Sequence, residues 1–154
     1  MKRHTIWVLG DQLTLEHSAL AAADPKSSRV LMVESRARGA HLRYHQIKLA
    51  MIYAAMRHFA EELRQRGWTV DYHELDQTAD FLEGLTRHLK TWSPDGLVLM
   101  EPNSAFEKDA VQKISNKVKL PVSFTPPVQF LRSREDFAKW AAGKKRLLME
   151  THYR

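Results

Sequence analysis

A chain of 154 residues, 44% of them hydrophobic, with only six glycines and six prolines, can bury a real core and is expected to form one globular domain. It has no cysteine, which excludes disulfides and thiolate metal sites, so an iron–sulfur centre working with this chain needs ligands from elsewhere. The formal charge of +6 permits an anionic partner without requiring one.

The first element is the apolar run at residues 6–9, which breaks abruptly into Gly10-Asp11-Gln12. A continuous apolar run is what a parallel strand covered on both faces requires, and Gly10 lets the chain turn or approach a ligand closely. Lys2 and Arg3 precede it, but the run behind them is only a strand long, too short for a signal-peptide core or a membrane span. The chain is therefore expected to be soluble, with no membrane association, and the lack of cysteine permits the cytoplasmic location expected for it. Residues 14–28 form an irregular connection with room for a short helix. The run at 29–34 is a second buried strand, ending in Glu34-Ser35.

From about residue 42 to 66, Leu49, Ile52, Met56, Phe59 and Leu63 recur every three or four positions, which lays them along one face of a long helix stopped by Gly67. The spacing of Arg57 to Glu61 and of Glu62 to Arg66 predicts ion pairs on its solvent side. Residues 68–74 read as a third strand at an edge. Asp76-Gln77-Thr78 can cap a helix carrying Phe81, Leu82, Leu85 and Leu89. After the turn at 93–96, residues 97–100 form a fourth buried strand ending in Glu101-Pro102-Asn103. A basic helix at 106–117 and a fifth strand at 121–124 complete the alternation.

Strands alternating with helices imply an α/β, Rossmann-like fold: a five-stranded parallel sheet in the order 3-2-1-4-5 with helices on both faces. In that order Gly10-Asp11-Gln12 and Glu101-Pro102-Asn103 face one crevice at the strands' carboxyl ends, with Glu34-Ser35 close by, where ligands bind in open α/β sheets. Residues 1–126 form this domain. Residues 127–154 depart from it as a connector in which Ser133 caps a helix bearing Phe137 and Trp140.

Common catalytic motifs are missing. There is neither G-x-x-x-x-G-K-[ST] nor G-x-G-x-x-G, and no G-x-S-x-G elbow, so NTPase, NAD-dependent and hydrolase readings lack their support. His41 and His45 have metal-ligand spacing on a helix but no third ligand, and no metal site or catalytic residue is assigned. What remains is a polar crevice suited to a heteroaromatic ligand.

Leu9-Gly10-Asp11-Gln12-Leu13, the strand ending in Glu34, the run at 56–63 and Glu101-Pro102 together resemble the amino-terminal domain of the bacterial cryptochrome and photolyase-related proteins that carry an iron–sulfur cluster. The likeness spans most of the chain, and residues 130–154 resemble that family's link to a helical catalytic domain, so the chain is expected to stop where that domain begins. The resemblance implies an antenna domain for 6,7-dimethyl-8-ribityllumazine, with FAD and the iron–sulfur cluster in the helical domain and light-driven repair of damaged DNA, mainly (6-4) photoproducts, by the whole protein. This chain alone would be inactive. Carried over by position, the pocket comprises Gly10, Asp11, Gln12, Glu34, Tyr44, His45, Lys48, Ile52, Glu101 and Pro102. Asp11 and Gln12 would bond the ring, the start of the long helix the ribityl chain, and Ile52 with Met56 would form an apolar wall; these two also read as plain core residues. Arg36 and Arg38 stand where relatives can carry a second acidic residue, and Tyr44 where a histidine can occur. Two other readings are a stand-alone nucleotide- or partner-binding module and weak, non-specific DNA binding through Arg36, Arg38, Arg43 and Lys144-Lys145-Arg146.

Overall fold

The computed structural model describes residues 2–153; Met1 and Arg154, the outer limits of the two expected segments, lie outside the described residues. In chain order the elements are β1 (His4–Trp7), α1 (Ser18–Ala21), β2 (Ser28–Val33), α2 (Arg36–Ala40), α3 (Gln46–Gln65), β3 (Val70–His73), α4 (Phe81–Thr91), β4 (Gly96–Met100), α5 (Ala105–Val118), β5 (Val122–Thr125), α6 (Arg134–Ala141) and α7 (Met149–Tyr153). The strands form one sheet in the order β3-β2-β1-β4-β5 with every pair parallel, so the expected fold and strand order hold and β3 is an edge.

Period-two alternation within the apolar runs divides the core. Ile6, Val8, Val30 and Met32 face one side, where Met56, Phe59, Ala60 and Leu63 of α3 and Ala19 and Leu20 of α1 cover them. Trp7, Leu9, Leu31 and Val33 face the other, against Leu85 of α4 and Val111 of α5 together with Leu97 and Leu99 of β4. Each fully buried Leu or Ile contributes about 1.5–3 kcal/mol, and both faces draw on the same strands. This is why the central strands read as unbroken apolar runs. Helix α4 lies so close to β2 that a Cβ at Gly84 would come within 2.6 Å of both Val33 methyls, which accounts for a glycine in mid-helix.

At the amino ends of the strands the sheet is closed by a hydrogen-bonded chain. Thr5 Oγ1 lies 2.7 Å from His88 Nε2, and His88 Nδ1 bonds Asp71 Oδ2, which joins β1, α4 and β3. The carboxyl ends are built differently. Ser35 caps a short helix, α2, which the sequence reading missed, and the long helix begins only at Gln46, with the His45 ring capping the Ile47 amide. Helix α4 is capped by Asp80 rather than by residues 76–78, because Thr78 is engaged with the Glu34 and Glu74 carbonyls. Ser133 caps α6 as expected. Among the described residues no helix is long and apolar enough to cross a membrane.

Candidate functional site

The loops after β1, β2 and β4, together with α2, α3 and the starts of α4 and α5, enclose a cavity of about 440 Å³ at the carboxyl ends of the strands. Its apolar wall comprises Leu9, Val33, Leu49, Ile52, Met56 and Phe81, the last held edge-on against Trp7 with ring centroids 5.6 Å apart. Gly10 packs against α3: a Cβ there would sit 2.9 Å from Met56 Sδ and 3.4 Å from Ile52 Cγ2. A side chain at position 10 would thus push the Met56 and Ile52 side chains of the wall aside, and glycine keeps the cavity open.

The opposite wall is polar and made by residues from distant parts of the chain. Arg38 of α2 donates from Nε and Nη2 to Glu107 Oε1 of α5 at 3.0 and 2.7 Å, and from Nη1 to the Tyr44 hydroxyl at 2.9 Å. Glu107 is fixed by its capping contacts with Ser104. Lys48 lies 5.1 Å from the Tyr44 ring centroid, a cation–π contact at the mouth. The Asp11 carboxylate accepts from Asn103 Nδ2 at 3.0 Å. Burial and then the neighbouring charge of Glu107 push the Asp11 carboxyl up from its ordinary value, against the bond from Asn103 and the Arg38 charge. Asn103 Oδ1 is buried without a protein partner. The arrangement offers an apolar slot edged by acceptors, two carboxylates and two cations.

Of the expected residues, Gly10, Asp11, Tyr44, Lys48 and Ile52 line this cavity, and the others do not. Glu34 is fully buried with its carboxylate turned away, toward α3 and β3. It accepts from Arg57 Nε at 2.7 Å and Nη2 at 3.0 Å, from the Tyr72 hydroxyl at 2.6 Å and from the Leu75 amide at 2.8 Å. Burial pushes this carboxyl up, but those bonds together outweigh it and hold it below the usual range. Arg57 consequently reaches Glu34 and Glu74 rather than the expected Glu61. Gln12 is also buried and clamps the end of β4, donating to the Met100 and Glu101 carbonyls at 3.1 Å each. His45 is spent on the cap of α3, and His41 stacks on Phe106 with centroids 4.4 Å apart. Glu101 pairs with Lys108 at 2.6 Å and with Arg134 at 3.5 Å, and the Pro102 carbonyl accepts from Arg134 at 3.1 Å. These two turn toward the segment after β5, not into the cavity.

Ser35, Arg38, Tyr53, Asn103, Ser104 and Glu107 are the polar side chains of the lining that position-by-position reasoning left out of the set. The chain offered one signal for two of them: Ser104 and Glu107 form an S-x-x-E capping box, which places a carboxylate in the first turn of α5 beside the crevice. Arg38 carried no such signal, because its role depends on the short helix α2.

Fold and site together define a doubly wound α/β domain with a cavity at its topological switch point, where such folds bind ligands. Within that class the chain belongs to the deoxyribodipyrimidine photo-lyase-related protein family, whose model matches residues 6–154. It is similar to a (6-4) photolyase from Agrobacterium fabrum (strain C58 / ATCC 33970), at 32% identity over 152 residues. The match covers 97% of this chain and 30% of that relative, so the chain spans about 30% of the relative's length.

Proposed function

We propose that the chain is the amino-terminal chromophore-binding domain of a photolyase-related flavoprotein, and that its pocket holds 6,7-dimethyl-8-ribityllumazine. The observation that carries this reading is the pocket itself: an apolar slot edged by hydrogen-bonding groups, at the switch point of the sheet, in a chain of the photolyase-related family. Its volume falls in the range of about 300–1,000 Å³ usual for small-molecule sites. The residues fit a flat heteroaromatic ring with a polyhydroxyl tail. Ile52, Met56 and Phe81 would cover the ring faces, the orphaned acceptor of Asn103 or the Asp11 carboxylate would meet the ring's single N–H donor, and Tyr44, Lys48 and Glu107 would meet tail hydroxyls. When bound, the pigment would absorb light and pass excitation on.

The flavin, the iron–sulfur cluster, damaged DNA and (6-4) repair belong in this proposal to a carboxy-terminal helical domain of the parent protein. The absence of cysteine from this sequence agrees with a cluster held elsewhere. Purified chain incubated with the lumazine and passed through gel filtration is expected to carry visible absorbance in the protein peak, with none of a parallel ATP sample retained. ATP retention without pigment retention would favour a self-contained nucleotide-binding module. Light-dependent reversal of a lesion by this chain alone would overturn the division of labour.

A further inference from the structure

The segment after β5 is bonded to the pocket rim through the Gln129 side chain. Gln129 donates from Nε2 to the Asp11 carbonyl at 2.7 Å, and its Oε1 accepts from Asn103 Nδ2 at 2.9 Å. The same Asn103 nitrogen donates to Asp11 Oδ2 at 3.0 Å, so Gln129, Asn103 and Asp11 close a ring of hydrogen bonds. Asn103 is also a shared wall: it lines both the ligand pocket and a second cavity of about 670 Å³ formed with Pro127, Gln129, Phe130, Phe137 and Met149. Ser18 to Thr125 and Pro126, and Arg134 to Pro102, anchor the segment on either side without reaching the pocket. Gln129 bonds two residues that line it.

We propose that Gln129 is a positioning residue that fixes Asp11 and Asn103 for the ligand, so that occupancy of the pocket and docking of the segment after β5 are thermodynamically linked. The proposal rests on the ligand-binding reading of the pocket. Asn103 spends its two amide hydrogens on Asp11 and Gln129 and has an acceptor left unused in the protein. Without Gln129 the Asn103 side chain keeps only its bond to Asp11 and the Asp11 loop loses its outer bond, so both groups are held less firmly and must be ordered again when ligand binds. Linkage is reciprocal, so bound ligand must hold the segment down by the same factor.

Three measurements on the whole chain test this. In ligand-free protein, hydrogen exchange over residues 127–133 is expected to quicken in Asn103→Ala and in Gln129→Ala alike, with the unfolding transition unchanged, because both substitutions open the same ring. In titrations with 6,7-dimethyl-8-ribityllumazine, Gln129→Ala and Gln129→Glu, the latter keeping the acceptor and removing the donor to Asp11, are expected to bind about 3- to 10-fold more weakly, the worth of one modest hydrogen bond. The Gln129→Ala effect should shrink in an Asn103→Ala background, where only the bond from Gln129 to the Asp11 carbonyl is left to lose, a non-additivity that general loosening of the fold would not produce. Undiminished affinity in both Gln129 variants, or losses that multiply in the double variant, would overturn the proposal. If the wild-type chain retains no lumazine, the pocket reading fails on its own, and the exchange comparison still decides the link. Unchanged exchange in Asn103→Ala would sink it.

Discussion

Glu34 and Asp11 are carboxylates that follow neighbouring parallel strands, and in the sequence they look alike: an apolar run, then an acid, then small or polar residues. The structure gives them opposite fates. Glu34 is fully buried, saturated by Arg57, Tyr72 and Leu75, and held below the ordinary carboxylate range. Asp11 stands at the pocket rim with one side-chain bond, from Asn103, and is pushed above that range by burial and by Glu107. The difference teaches that an acid at the end of a strand signals a ligand site only when the protein leaves its oxygens unspent. A side chain whose acceptors are all filled is part of the scaffold, however well placed it looks in the alignment of elements.

The contrast breaks most visibly in stability. Glu34→Ala removes the shared acceptor of several converging donors and should cost about 3 kcal/mol in urea unfolding, near the lower end for disrupted buried pairs because Arg57 stays half exposed, keeps Glu74 within reach and can rehydrate. A loss under 1 kcal/mol would mean that the network is incidental. Acid titration sharpens the comparison with another buried group. His17 is fully buried, neither ring nitrogen has a partner, and burial pushes its pKa down to about 4. The unfolded chain therefore takes up a proton that the native state refuses. Stability is full above about pH 6.5 and should fall by about 3 kcal/mol as the pH drops to 4. The Glu34 contribution has the same sign but a lower window, being lost only as pH falls through its depressed folded value. Denaturant midpoints across this range, in wild type and in His17→Leu, check the assignment: the variant should lose the upper part of the slope.

Glycine substitutions probe the two helix faces. Gly84→Ala drives a Cβ against both methyls of β-branched Val33 and should cost about 2 kcal/mol. Gly10→Ala meets the flexible end of Met56 first and should cost about 1 kcal/mol while narrowing the pocket, so that its ligand affinity falls more than its stability. Thermal unfolding alongside lumazine titration separates these outcomes. The smallest effect on stability is expected for Asp11→Asn, whose urea midpoint should stay level or rise slightly at neutral pH, because a disfavoured charge is removed, while lumazine affinity drops.

The scaffold was legible because its signal is repeated. Unbroken apolar runs such as residues 30–33 mark a sheet covered on both faces, and the recurrence of Met56, Phe59 and Leu63 marks the helix above it. The pocket was legible in its loops, where Gly10, Asp11 and Asn103 fall as the strand order requires. It was not legible where a side chain's direction decides its role. Glu34 and Ser35 are adjacent, but successive side chains at the end of a strand point to different sides, and only Ser35 meets the cavity. Arg38 was hidden because α2 is short, contains Gly39 and has no apolar period to announce it. His45, at the foot of α3, looked like a helix-face residue and became a cap, because the helix starts at Gln46 and not near residue 42.

The central claim, that the cavity beside Asp11 is the ligand site and the Glu34 cluster is scaffold, meets its most direct test in one titration. Lumazine binding is followed by absorbance in wild type, in Ile52→Trp, which fills the cavity, and in Glu34→Gln, examined under conditions where all three are folded. The account predicts that Ile52→Trp abolishes binding while Glu34→Gln binds within about twofold of wild type, as expected for a group that makes no contact with ligand. Binding that survives Ile52→Trp and disappears in Glu34→Gln would contradict it.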